Sequence, residues 1–409
     1  MAAGPGGLAG STRLERAFRE EWGAVVATLA RRLGDLQAAE DAAAEAFAAA
    51  SVTWARDGVP PNPGGWLTVT AWRKAVDAHR AAGARWTSID PQVLGSVAAD
   101  ARTAPDIAET DMTETLGDDR LGLIFACCHP ALAEDVRVAL TLRFVAGLTT
   151  REIAAAFVVP EATLAQRLVR AKRRIREDDL SLAVPAPHEL PDRLASVLAT
   201  VYLVFNAGYG PPVRELLCAE ALRLALLLAT LMPDEADAHG LHALLLLQDA
   251  RRDARVVDGA IVLLDDQDRG LWDWAEIEQG RAALERALRL RTPGPYQLQA
   301  AIASLHADEE TDWPQIAALY TRLLDLQPSP VVALNRAVAV SFADGPERAL
   351  ELLDGIEGLD GYYLLHATRA DCLRRLGRPA RTAYERALEL APSEVERDFL
   401  RMRLARTDA

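Results

Sequence analysis

Cysteine is scarce in this chain: the four present among 409 residues (Cys127, Cys128, Cys218 and Cys372) show no paired spacing. No disulfide framework is expected, and a reducing cytoplasm is the simplest setting. Long apolar runs are lacking too. The best stretches, around 224–228 and 241–247, are interrupted by polar residues before reaching the length of a membrane span. The opening MAAGPGGLAGSTR has no charged region ahead of an apolar block, so no signal peptide is expected. Lysine occurs only at Lys74 and Lys172, leaving the rest of the basic charge to arginine. Strict apolar–polar alternation, the mark of strands, is rare. Catalytic apparatus is missing as well. There is no Gly-rich phosphate loop, the seven histidines are scattered, and the acidic run Asp265 to Arg269 has neither nucleophile nor histidine beside it. That run is expected to form a helix cap with a buried Arg–Asp network; a partner-binding patch is the sharper alternative. Cys127-Cys128-His129 resembles part of a metal site, but no second Cys or His pair stands at ligand spacing. The cysteines are expected to be small core residues before a turn at Pro130. No catalytic residue, metal or cofactor is expected.

What remains is a globular profile, 50% hydrophobic and 25% charged, in a chain long enough for two or three domains. Apolar residues recur at three and four, so the expected class is all-α. Residues 87–118 are polar, acid-leaning and weakly periodic, and are expected to be a linker. A second boundary is expected between Asp178 and Pro191. The expected parts are 12–86, 119–178 and 191–409. The last part repeats itself: Tyr320 to Ser329 and Tyr384 to Ser393 share Tyr-x-Arg-x-Leu-x-Leu-x-Pro-Ser, 64 residues apart. Arg348 to Leu353 falls about halfway between, and Glu285 to Leu290 is related. A period of about 32–36 with helices stopping at proline predicts stacked tetratricopeptide-like helix pairs.

The net charge of −14 is uneven: residues 1–180 carry −3 and residues 181–409 carry −11. From Glu161 to Arg176 there are six basic side chains and one acidic. That focus coincides with a helix-turn-helix pattern. Thr149 and Thr150 can cap a helix through Ile153, Ala156 and Phe157, and Val158-Val159-Pro160 breaks it. The next helix puts Leu164, Leu168 and Ile175 on one stripe. Thr163, Gln166, Arg167 and Arg170 point elsewhere, and Lys172, Arg173, Arg174 and Arg176 fill the last turns. A recognition helix needs this division between an apolar seat, hydrogen-bonding groups for base edges, and arginines for phosphates. A solvated basic face is the competing reading of the stretch alone.

Ahead of it, a long amphipathic helix from Arg13 to Leu33 is followed by a short acidic helix from Asp35 to Phe47. After a Pro/Gly loop comes a helix carrying Trp66, Trp72, Arg73, Lys74, His79 and Arg80. Aromatics interleaved with cations suit single-stranded DNA, rings for unstacked bases and charge for the backbone. Tryptophans anchoring helix packing are the alternative.

This order resembles the bacterial extracytoplasmic-function sigma factors: acidic helix, Pro-x-x-Pro-x-x-Trp-Leu, basic helix ending in Asp-x-x-Arg, linker, helix-turn-helix. The stretches Leu194 to Tyr209, Asp265 to Asp273, Gln297 to Ala301, Thr311 to Trp313 and Leu334 to Ala339 resemble the subgroup with a tetratricopeptide-like C-terminal extension. The resemblance implies a sigma region 2 at 12–86 and a region 4 at 119–178. It implies no catalysis, but promoter-specific initiation as a subunit of RNA polymerase. Asp35, Glu40, Asp41 and Glu45 would contact the clamp helices of the largest polymerase subunit. Trp66, Trp72, Arg73, Lys74, His79 and Arg80 would hold the −10 element. Thr150, Arg151, Thr163, Gln166, Arg167, Arg170, Lys172, Arg173 and Arg174 would serve the −35 element. Departures are Ala44 where the docking helix usually has Gln, Trp72-Arg73 within the basic helix, and Ala207 in Asn206-Ala-Gly-Tyr209 where Glu is usual.

The −11 balance of the extension suits either a shield for basic faces or a scaffold for a protein partner. The resemblance to that subgroup favours an extension needed for activity. The alternatives from other classes are a conventional helix-turn-helix regulator with a tetratricopeptide sensor, and an interaction scaffold with a vestigial helix-turn-helix.

Overall fold

Asp35 starts the helix that organises the N-terminal half: its carboxylate accepts hydrogen bonds from the backbone N–H of Gln37 (2.7 Å) and Ala38 (3.1 Å). These satisfy two of the orphan donors of a helix start. The helix, α2 (Leu36–Asp57), ends at Gly58, whose φ of 83° suits glycine. It buries Leu36, Ala39, Ala43, Ala46, Phe47, Ala50 and Trp54, in steps of three and four, against α1 (Pro5–Leu33) and α3 (Pro63–Ala82). Phe18, Trp22 and Phe47 form the aromatic centre, with ring centroids 4.8–5.7 Å apart. The computed structural model describes residues 5–82, 119–157, 159–178, 180–210, 213–257 and 260–406, excepting the side chains of 5–17, 19 and 79–82. The expected linker, 87–118, lies outside the described residues.

A second helical set follows: α4 (119–127), α5 (Glu134–Leu140) continuing into a π-helical turn Thr141–Val145, then α6 (Thr150–Phe157), α7 (Glu161–Glu177) and α8 (Leu190–Tyr209). Thr149 and Glu152 form a capping box at α6. The Thr149 hydroxyl accepts from Glu152 N–H (3.2 Å) and the Glu152 carboxylate accepts from Thr149 N–H (2.8 Å). Cys127 and Cys128 are buried free thiols, and burial pushes both upward in pKa, which keeps them protonated and unreactive. Among the described residues no group of His, Cys, Asp and Glu could hold a metal ion.

The chain separates into two compact units, Met1–Ala207 and Gly208–Ala409. The division falls within α8. Polar anchors to α4 and α5 explain this. Arg193 donates to the Phe125 carbonyl (2.9 Å), the Ser196 hydroxyl donates to the Cys128 carbonyl (2.6 Å), and Arg137 donates to Ser196. The spacing of α8 marks it as apolar and helical but carries no information on which side of a boundary it packs.

In the second unit α9 (Glu215–Leu231) and α10 (Ala236–Asp249) pair. A single helical turn, Arg252–Arg255, leads into a two-stranded hairpin, β1 (Val256–Val257) with β2 (Ala260–Ile261). Then come α11 (Trp274–Arg289), α12 (Pro295–Leu305), α13 (Trp313–Leu326), α14 (Pro330–Ala343), α15 (Pro346–Asp354), α16 (Tyr363–Arg375), α17 (Arg381–Leu390) and α18 (Glu394–Ala405). From α11 on, each helix packs on the next in the chain. The core is stepwise: Ile302, Ile316 and Ala339 form one cluster; Leu334, Ala349, Leu353, Leu365 and Cys372 another; Ala370, Tyr384, Ala387 and Leu400 a third.

The Arg–Asp network expected at 265–269 is replaced by another arrangement. Arg269 donates to the carbonyls of Ala307 (2.7 Å), Asp308 (2.7 Å) and Glu309 (3.3 Å) and lies over the rings of Trp272 and Trp274. The helix end at α12 offers unpaired carbonyls, which a guanidinium satisfies as well as a carboxylate would satisfy it. No described helix is long and apolar enough to cross a membrane.

Candidate nucleic-acid interface

α6 and α7 form the expected helix-turn-helix. Leu164, Leu168, Ala171 and Ile175 of α7 are buried together with Ile153 and Ala154 of α6, so the apolar stripe seats the second helix on the first. Arg151, Thr163, Gln166 and Arg170 are exposed, Thr150 is half-buried, and Arg170 bonds only back to the Gln166 carbonyl (3.3 Å). The remaining cations are engaged. Arg167 pairs with Asp135 (3.1 Å), Arg173 with Glu177 (2.6 Å) and Arg174 with Asp178 (3.1 Å). Exposed pairs of this kind cost little to break, so they leave these arginines usable.

On α3, Arg73 and Lys74 are exposed, and Lys74 sits 3.5 Å from Glu45. Trp66 is half-buried and meets Trp54 edge-on at 5.4 Å. The expectation fails for Trp72. It is 4% exposed, with Arg32 over its ring (5.8 Å), and belongs to the core with Leu67 and Ala71; a ring so covered cannot stack on a base. The side chains of His79 and Arg80 lie outside the described ones.

The four expected docking carboxylates, Asp35 at the cap of α2 and Glu40, Asp41 and Glu45 within it, lie in two environments. Asp41 and Glu45 are exposed, with Ala44 between them on the same face. Glu40 is turned inward. Its Oε1 accepts from Arg143 Nε (2.9 Å) and Nη2 (2.6 Å), and its Oε2 from Lys172 Nζ (2.7 Å). The three side chains are only 13%, 15% and 10% exposed. Asp35, besides capping α2, pairs through Oδ2 with Arg176 (2.9 Å). The helix expected to meet polymerase and the helix expected to meet DNA thus hold each other through opposite charges.

Arg143 was not singled out by sequence reasoning. It stands alone in the apolar Thr-Leu-Arg-Phe-Val of the π turn, a distortion that places it between the two helical sets. Its remaining nitrogen donates to the Leu148 carbonyl (3.0 Å), and its guanidinium lies 5.0 Å over the Trp22 ring. Trp22 in turn donates to the Arg143 carbonyl (3.1 Å). Gly23 lets α1 approach: a Cβ there would lie 2.6 Å from the Val145 carbonyl oxygen.

Comparison with known proteins accounts for these elements. Residues 18–85 match sigma-70 region 2, residues 123–175 match sigma-70 region 4, and residues 193–288 match a family of unknown function, DUF6596. An uncharacterized protein of Rhizobium meliloti (strain 1021) is 44% identical over 394 residues, covering 92% of this chain and 91% of the relative. No solved structure matches. Sigma families are non-enzymatic regulators of transcription, and their domains imply core RNA polymerase and promoter DNA as partners. With regions 2 and 4 both matched and a further helical domain after them, the chain belongs to the sigma-70 family as an extracytoplasmic-function-like sigma factor with a C-terminal extension, directing promoter-specific transcription.

Proposed function

We propose that Asp41 and Glu45 on the outer face of α2 dock on the clamp helices of the largest polymerase subunit, and that the conformation described is a closed one. In it Glu40 and Asp35 are held by Arg143, Lys172 and Arg176, so full engagement of polymerase and promoter requires the two helical sets to part. The observation that carries this is the Glu40 carboxylate buried between Arg143 and Lys172. On opening, α3 would hold the −10 element through Trp66, Arg73, Lys74 and the segment bearing His79 and Arg80. α7 would read the −35 element, with Thr163, Gln166 and Arg170 toward base edges and Arg151, Arg167, Lys172, Arg173 and Arg174 toward phosphates. The acidic C-terminal unit is a tetratricopeptide-like array serving regulation or partner binding. The neighbour-to-neighbour packing of α11 to α18 and the repeated Tyr-x-Arg-x-Leu-x-Leu-x-Pro-Ser support that reading. Work alongside polymerase places the protein in the cytoplasm.

The test is titration of the full chain with purified bacterial core polymerase, read by co-elution and by transcription. Asp41→Ala with Glu45→Ala is expected to weaken core binding at least tenfold, about 1.4 kcal/mol. Arg167→Ala with Arg170→Ala should leave core binding intact and abolish promoter-dependent transcription. Core binding indifferent to Asp41 and Glu45 would remove α2 as the docking helix.

A further inference from the structure

Three aromatic or aliphatic side chains of the second unit, Leu263, Phe342 and Leu364, are about 40% exposed without a surface reason to be. All three line one cavity. It exists because the helical array turns back on itself: α18 packs against β2, so the hairpin segment near 263 and the last helix close over the space between α13, α14 and α16. The cavity is open to solvent on one side and has a volume of about 390 Å³, within the range that holds small ligands.

The walls are aromatic. Trp313 and Phe342 stack at 4.3 Å with 16° between their planes, and His306 meets Trp313 edge-on at 5.3 Å. Tyr320, Tyr384 and Phe399 also line it, with Asn335 and Thr368 among its polar residues. Arg375, 4.8 Å over Phe342, is tied to the Ser341 carbonyl (2.8 Å) and hydroxyl (3.0 Å), which fixes that ring from behind the cavity lining. Polar groups are few. Asp371 is neutralised by Arg374 and Arg403. Asp265 stands exposed at the edge. His306 is pushed down to about 4 by burial, with Arg251 adding to the shift, so it is uncharged at neutral pH. Its Nδ1 is buried, with no hydrogen-bond partner among the described residues.

We propose that this cavity is a binding site for a small aromatic molecule, uncharged or singly cationic, stacked among Trp313, Phe342 and Phe399. Flat walls select a flat ligand. The one lining arginine is already paired, whereas Asp265 has no ion-pair partner among the described residues, so an anion such as a phosphate or carboxylate is disfavoured. This goes beyond the promoter role and does not depend on it.

The experiment uses the full chain and two dyes that share a naphthylamine skeleton: uncharged N-phenyl-1-naphthylamine and its anionic 8-sulfonate. The neutral dye is expected to give saturable one-site fluorescence enhancement. The sulfonate should bind at least tenfold more weakly, with Asp265→Asn narrowing the gap. Phe342→Ala, which removes an exposed ring, and Thr368→Trp, which fills the cavity by addition, should each weaken the neutral dye at least tenfold. Leu288→Ala, at an exposed position on α11 outside the cavity, should not. Thermal unfolding shows whether each variant keeps its fold. Non-saturable binding, or saturable binding unmoved by both Phe342→Ala and Thr368→Trp, overturns the site. Equal or tighter binding of the sulfonate overturns the ligand class.

Discussion

Gly23→Ala will destabilise the first unit, although in the interior of a helix that exchange ordinarily stabilises by about 1 kcal/mol. The sign reverses because of what lies opposite. A Cβ on Gly23 would sit 2.6 Å from the Val145 carbonyl oxygen, a backbone atom that no side-chain rotation can move aside. Overpacking of this kind costs about 1–3 kcal/mol, and a backbone obstacle belongs at the upper end. In the proposed open form, with the Val145 carbonyl moved away, the helix-propensity gain is kept. The closed form loses while the open form gains, so the equilibrium between them shifts by about 3 kcal/mol, on the order of a hundredfold. Hydrogen exchange on the full chain reads this directly, through faster exchange in α7 and in the Thr141–Val145 turn with α1 itself unchanged. Core polymerase should bind Gly23→Ala more tightly than the natural chain, because less energy goes into opening. If Gly23→Ala raises the melting temperature and leaves exchange as it was, the two helical sets are not packed this way in solution.

Much of the site was legible because it is local. The stripe Leu164, Leu168, Ile175 is written in spacing, and Thr149 three residues before Glu152 announces the start of α6. The acidic N-terminal half of α2 and the basic C-terminal half of α7 are equally plain as compositions. What could not be read is which charge meets which. Glu40 is 103 residues from Arg143 and 132 from Lys172, and nothing in either neighbourhood marks the pairing. Glu40 and Asp41 look interchangeable in the sequence, yet adjacent positions on a helix face about 100° apart, and one is buried while the other is exposed. Trp72 illustrates the opposite error. Cations beside it suggested a base-stacking platform, but Leu67, Ala71 and Trp72 lie on the buried face of α3, where a tryptophan is simply the largest available filler. The place where α8 packs was hidden for a similar reason: Arg193 and Ser196 choose their partners through carbonyls of residues 125 and 128.

Glu40→Ala is expected to have the largest effect of any single charge removal. It leaves Arg143 and Lys172 facing each other with little access to water. Removing one partner of a buried pair costs about 3–5 kcal/mol, because the survivor stays desolvated and uncompensated; here there are two survivors of like charge. Lys172→Met is milder, since Glu40 keeps both hydrogen bonds from Arg143. The double variant Glu40→Ala with Lys172→Met should be less damaging than the two single effects summed, and that difference measures their coupling. Because the network is largely shielded, raising salt should weaken it far less than the exposed pairs Arg173–Glu177 and Arg174–Asp178. Binding assays then separate closure from contact. Lys172→Met releases one bond to Glu40 and leaves Asp41 and Glu45 untouched, so its core affinity should rise as closure weakens, whereas its promoter-dependent transcription should fall for want of a phosphate contact. A Lys172→Met chain that binds core polymerase no better than the natural one would mean that the charges joining α2 to α7 stabilise the fold without gating access to α2.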